Sequence, residues 1–195
     1  WKVIAVDQSS GELVAPNGSI GYRWGEKGKW NIEQRDGRSG VECEFALSLK
    51  DQRDDLADVA FPYFGARQHE HGYFQHTQHD EVQLRKVPVK HVTLNDGSQV
   101  AVATVFDLML AHYGVDNGLG DPNVASSYAD NVPYTPGWQE QITGVKPDAV
   151  IRIAREFADT ANKTRGRSMI IVGAGMNHWY HMDMNYRGLI NMLMM

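Results

Sequence analysis

Ser168-Met169-Ile170-Ile171-Val172-Gly173-Ala174-Gly175-Met176-Asn177-His178-Trp179-Tyr180-His181 joins a continuous apolar run to a glycine loop and then to imidazole and amide side chains. An unbroken apolar run of this length fits a parallel strand covered on both faces. Upstream, Ala149, Val150, Ile153, Ala154, Phe157, Ala158 and Ala161 recur at helical spacing, with Arg152, Arg155, Glu156 and Asp159 opposite them. Pro147 suits the first helical position. Downstream, a second helix is expected to start near His181 to Asp183. Helix, buried strand, loop and helix make one slice of a doubly wound α/β domain.

Working back from that slice, the chain changes character. Lys2 to Val6, Leu13-Val14, Ile20 to Trp24 and Cys43 to Leu49 read as short strands separated by glycine turns such as Pro16-Asn17-Gly18-Ser19 and Arg35-Asp36-Gly37-Arg38. Asp51 to Asp58 is charged and is expected to be a loop or short helix. Val82 to Val92 and Gln99 to Thr104 flank Asn95-Asp96-Gly97, a strong hairpin signal. Val105 to Tyr113 looks helical, and Gly114 to Pro136 has the composition of a long loop. The expected fold class is therefore mixed α/β, a β-rich first part followed by one slice of a doubly wound parallel-sheet domain. Its divisions are a meander-like region over 1–113, a connection over 114–145 and an α/β cofactor-binding segment over 146–195. No internal repeat is evident.

Composition narrows the function classes. Of 195 residues, 42% are hydrophobic and 22% charged, which excludes a disordered chain, and the net charge of −5 offers no basic footprint for nucleic acid. Cys43 is the single cysteine, so neither an internal disulfide nor a cysteine cluster for zinc or iron–sulfur ligation exists here. No run approaches the ~18 apolar residues of a membrane span. The chain opens on Trp1 and closes on Leu193-Met194-Met195 inside an apolar helix pattern without a cap, so it is expected to be a piece of a longer chain.

The glycine loop admits three readings on spacing alone. A nicotinamide-binding loop would show Gly-x-Gly-x-x-Gly, but His178 stands at the third glycine, where a side chain obstructs close helix–strand packing. A plain strand-to-helix turn whose histidines satisfy neighbouring polar groups is the bland alternative. The third is a ligand loop, in which Gly173 and Gly175 admit close backbone approach while Asn177, His178 and His181 grip a polar heterocycle or anion. Elsewhere, His69, His71, His76 and His79 lie in a polar stretch and could suit zinc or copper, but without cysteine or regular spacing a solvated loop is the better reading. His91 and His112 read as strand and helix surface residues, Trp24, Trp30 and Trp138 as core. Nothing near Cys43 in sequence would activate it.

A resemblance decides among these readings. Gly173-Ala174-Gly175-Met176-Asn177-His178 is similar to the Gly-x-Asn-Gln-His loop of the molybdopterin oxidoreductase superfamily. Longer text resembles the respiratory nitrate reductase alpha subunit: Thr135-Pro136-Gly137-Trp138-Gln139-Glu140-Gln141-Ile142-Thr143-Gly144-Val145, Ile151 to Asp159, Gly166 to Gly175, Asn177-His178-Trp179-Tyr180-His181 and Asp183 to Leu193. Pro16 to Gly21, Arg23-Trp24-Gly25 and Gly28-Lys29-Trp30-Asn31 agree, whereas the match thins across Asp51 to Leu84. Lys146 replaces a small hydroxyl residue that would cap the following helix, a change worth about 1 kcal/mol. Met176, Met182 and Met194 replace other apolar residues.

The resemblance implies a molybdenum-dependent oxidoreductase that reduces nitrate to nitrite by oxygen-atom transfer at a Mo-bis(molybdopterin guanine dinucleotide) centre in anaerobic respiration. It implies a 4Fe-4S cluster whose ligands lie outside this stretch, an iron–sulfur beta subunit, a haem b membrane subunit, and a peripheral place on the cytoplasmic face of the inner membrane. It further implies that Gly173, Gly175, Asn177, His178 and His181 line the cofactor, with no catalytic or metal-ligating residue in this chain. The alternative class is a non-catalytic α/β nucleotide-binding module.

Overall fold

The computed structural model describes residues 3–17, 33–63, 81–122 and 124–195. Two compact units divide the chain, 1–151 and 152–195. The architecture is mixed α/β, a β-rich first part followed by helices, as the sequence leads one to expect.

In the first unit, β1 (Ala5–Asp7) lies between β2 (Leu13–Val14) and β3 (Phe45–Ala46) in an antiparallel sheet. Two turns of the same Asp-x-x-Ser-Gly pattern organise this sheet, a repeat that the sequence reading did not find. In the first, Asp7 Oδ2 accepts from the Ser9 and Ser10 hydroxyls (2.7 and 2.6 Å) and the Ser10 amide, and Oδ1 accepts from the Glu44 amide at 2.9 Å. In the second, Asp36 Oδ2 accepts from the Ser39 amide and hydroxyl, and Oδ1 from the Ala15 amide at 3.0 Å. Each turn closes on a glycine amide, Gly11 to the Asp7 carbonyl and Gly40 to the Asp36 carbonyl. Gly11 and Gly40 both have φ of 72°, which glycine adopts without a Cβ clash. Hydrogen bonds to the ionised form hold both carboxyls far below the ordinary value of 3.8, the serine hydroxyls acting most strongly.

The second sheet runs β4 (Asp55–Tyr63), β5 (Glu81–Thr93) and β6 (Gln99–Val102), again antiparallel. The expected hairpin forms: Leu94 donates to the Ser98 carbonyl, Gly97 sits at φ 84°, and Asp96 accepts from the Ser98 amide and hydroxyl. Pro88 is tolerated in the middle strand because its nitrogen faces away from β4 and lies beyond the end of the β6 ladder. Lys86, two residues earlier on the same side, sends its amide to Asp121 Oδ1 instead. Asp55 to Asp58 is strand, not the expected loop or short helix. Its charges sit on an outer edge where solvent reaches them, and Lys86 faces Asp58 at 3.9 Å across the ladder.

Helix α1 (Val105–His112) packs on β5, whose Arg85, Val87 and Val89 point inward while Val82 and Leu84 stay exposed. Thr104 caps it, accepting from the Asp107 amide at 3.0 Å. The buried Asp107 carboxylate accepts from Thr104 Oγ1, Ser48 Oγ and the Leu49 amide at 2.8, 2.6 and 2.8 Å, pinning the segment after β3 to the helix. Leu49 and Val87, at 1% and 0% exposure, form the centre of the core with Ala111 and Val89.

Helix α2 (Pro136–Thr143) begins within the stretch expected to be a connection, capped by Thr135, which accepts from the Trp138 amide, and ended by Gly144 at φ 72°. Gly137 is required there, since a Cβ would stand 2.6 Å from the Ala129 carbonyl oxygen. His112 is not a plain surface residue. Its ring lies 5.6 Å from Phe61, 5.1 Å from Tyr113 and 5.5 Å from Tyr134, which in turn meets Trp138, and burial lowers its pKa.

Helix α3 (Pro147–Thr164) starts at Pro147 as expected. Lys146 fills the cap position by its carbonyl, which accepts from the Ala149 and Val150 amides, while its ammonium pairs with Glu140 at 2.7 Å. Arg165 and Gly166, both with positive φ, end it.

Over the second unit the expectation of a buried parallel strand is not met. Residues 168–172 form neither helix nor strand, among the described residues no strand pairs with them, and Met169 and Ile171 are 75% and 86% exposed. A parallel strand exists only through neighbours that take up its amides and carbonyls and cover both its faces. Every ladder between described strands is antiparallel, as expected for the first part. After that segment come α4 (Ala174–Asn177), a single turn within the expected loop, and α5 (Met182–Met194) at the predicted start. Among the described residues no helix is long and apolar enough to cross a membrane.

Candidate functional site

The glycine loop is built by short-range hydrogen bonding. Gly173 caps α4, its carbonyl accepting from the Met176 and Asn177 amides at 3.0 and 3.4 Å. His178 ends that turn, and the Trp179 amide donates to the Met176 carbonyl at 3.3 Å. The next helix starts from His181, whose carbonyl accepts from Met184 and Asn185 at 3.0 and 3.2 Å. Gly173, Gly175, Asn177, His178 and His181 therefore fall within one short loop between two helices, all of them exposed.

The space around this loop is open. A Cβ added at Gly173 or Gly175 would meet no atom within 4 Å, so the backbone there can be approached from outside. From Gly173 to His181 the sequence contains no carboxylate, and Arg165 and Arg167 precede it. Amide and imidazole groups without competing negative charge suit a phosphate-bearing heterocycle. Trp179 and Tyr180, 71% and 73% exposed, stand between the two histidines. Neither was expected among the site residues, although two large aromatic side chains inside a polar loop are a visible signal of a surface that something covers. His181 has φ 56° and ψ 33°, a left-handed conformation unusual for a residue with a Cβ.

Other candidates separate from this loop. His69, His71, His76 and His79 lie outside the described residues, as do Trp24 and Trp30. His91 is exposed on β5, with Nδ1 4.0 Å from Asp54. Burial, with Asp7 and Asp36 nearby, pushes the Cys43 thiol pKa up, opposite to what a reactive thiolate needs. Among the described residues no group of three or more His, Cys, Asp or Glu side chains could hold a metal ion.

No family model matches the chain. It is 62% identical over 193 residues to the respiratory nitrate reductase 1 alpha chain of Escherichia coli (strain K12), and 59% identical over 193 residues to the respiratory nitrate reductase 2 alpha chain of the same organism. It is 42% identical over 195 residues to the nitrate reductase alpha chain of Bacillus subtilis (strain 168). These matches cover 99%, 99% and 100% of this chain, which spans about 15% of the length of each relative. The resemblance drawn from the residues is thereby borne out.

Proposed function

We propose that this chain, similar along its whole length to respiratory nitrate reductase alpha chains, supplies one wall of the cofactor cleft in the catalytic subunit of a nitrate-reducing oxidoreductase. The observation that carries the proposal is that this similarity covers 99% of the chain, and that the chain holds a loop whose exposed donors, open glycines and lack of carboxylates fit a phosphate-bearing pterin. Residues 1–113 and 114–145 would then be the β-rich region and the connection that precede the cofactor-binding segment 146–195. When bound, a Mo-bis(molybdopterin guanine dinucleotide) centre supplies oxygen-atom transfer from nitrate, two electrons and two protons yielding nitrite and water.

The chain's own residues bind and orient. Gly173 and Gly175 admit the ligand to the backbone, and Asn177 and His178 present hydrogen-bonding side chains to its heterocycle. His181 lies at the far end of the loop. No residue here is assigned to ligate molybdenum or the 4Fe-4S cluster of the parent subunit. An iron–sulfur beta subunit and a haem b membrane subunit would deliver electrons, with the catalytic subunit peripheral on the cytoplasmic face of the membrane.

His178→Ala in the full-length subunit tests the proposal. Losing one hydrogen bond to a charged group costs roughly 1.5–3 kcal/mol, so pterin retention and nitrate turnover should fall, or the molybdenum potential shift, with the fold intact. His91→Ala should change none of these. Normal pterin content, potential and turnover in His178→Ala would return the histidine to a turn residue satisfied by its neighbours.

A further inference from the structure

The junction between α4 and α5 turns on a single residue. His181 occupies the left-handed region at φ 56° and ψ 33°, and it makes no side-chain cap to the helix that it begins. Its contribution to that helix is its carbonyl, which accepts from the Met184 and Asn185 amides of α5. Its imidazole meets the Tyr180 ring, with centroids 3.9 Å apart and planes 56° apart. An L-residue enters this region against Cβ repulsion, and a strained conformer at a ligand loop points to a use for the backbone it creates.

We infer that His181 is a positioning residue: its left-handed backbone sets the exit of the loop into α5, so that Asn177 and His178, rather than the His181 imidazole, face the ligand. The inference rests on the proposed cofactor loop and reassigns one of that loop's residues from ligand contact to geometry. It separates two properties of the same residue. Glycine reproduces the backbone without the ring, asparagine tolerates it with an amide, and valine, branched at Cβ, resists it.

The test uses the full-length parent enzyme carrying His181→Gly, His181→Asn, His181→Val or His178→Ala. Extractable pterin, molybdenum midpoint potential and melting temperature are measured on each. His181→Gly and His181→Asn should match the wild type in pterin and potential and melt no lower. His181→Val should melt lower and, where still folded, show lost pterin or a shifted potential, with His181→Asn acting as the rescue. Loss of pterin in His181→Gly equal to that in His178→Ala would make the imidazole itself a ligand contact and overturn the inference. So would a His181→Val enzyme indistinguishable from wild type. A wild-type enzyme without pterin would instead overturn the proposed function, while the order of melting temperatures would still report whether the loop needs a left-handed backbone at His181.

Discussion

Residues up to 151 and residues 152–195 make opposite use of their apolar side chains. The first unit closes on itself: Leu49, Val87, Val89 and Ala111 are buried by two sheets' worth of antiparallel ladders and one helix packed on β5. In the second, where all residues are described, none is buried, and Met169, Ile171, Trp179 and Tyr180 stand in solvent. An antiparallel meander can find its partners a turn away, whereas a single slice of a parallel sheet cannot cover both faces of its own strand. The second unit thus leaves its apolar side chains, and the candidate loop among them, on its surface.

Leu49→Ala against Ile171→Ala is the sharpest way to break this contrast. In the 195-residue chain, denaturant unfolding should show Leu49→Ala costing about 2–5 kcal/mol and Ile171→Ala costing nothing measurable. In the full-length parent, Ile171→Ala should become as costly as other buried truncations. Silence there would mean that the apolar run is a true surface. Amide exchange on the isolated chain should likewise protect β5 and leave 173–193 unprotected.

A smaller effect is expected at Asp107. Replacing it by Ala strips the acceptor from the Leu49 amide, Ser48 and Thr104, leaving a buried donor unsatisfied at about 1–3 kcal/mol. The loss should appear as a lower urea midpoint for the first unit, with the helical signal of α3 and α5 unchanged.

The smallest effect is acid dependence. Asp7 and Asp36 are held below the ordinary carboxyl value of 3.8 by their serines and by distant amides. A depressed folded-state pKa gives stability that is present above the unfolded value and lost as pH falls through the folded one. The first unit should therefore weaken below about pH 4, and Asp36→Asn should flatten that acid limb in urea midpoints measured against pH. An unchanged limb would show that the twin turns do not govern it.

What could be read in the sequence was local. The hairpin at Asn95-Asp96-Gly97, the helix from Pro147 and the start of α5 near His181 all rest on contacts a few residues apart, where spacing and turn chemistry decide. The members of the candidate loop were legible for the same reason, being one contiguous run. What escaped was the left-handed turn at His181, because a histidine signals a positive φ far more weakly than glycine does. The aromatic surroundings of His112 escaped too, since Phe61 and Tyr134 reach it from far along the chain.

The sequence by itself determined the family resemblance, the β-rich character of the first part, the starts of α1, α3 and α5, and the hairpin. Only the tertiary structure decided that Asp7 reaches Glu44, 37 residues away, that Asp36 reaches Ala15, 21 away, and that Asp107 holds Leu49, 58 away. It also decided that Asp55–Tyr63 is a strand and that 168–172 forms none. The physical reason is common to all of these. A turn or a helix is specified by atoms that the same few residues carry, whereas a carboxylate's distant donors, a strand's edge and a strand's cover belong to other parts of the chain.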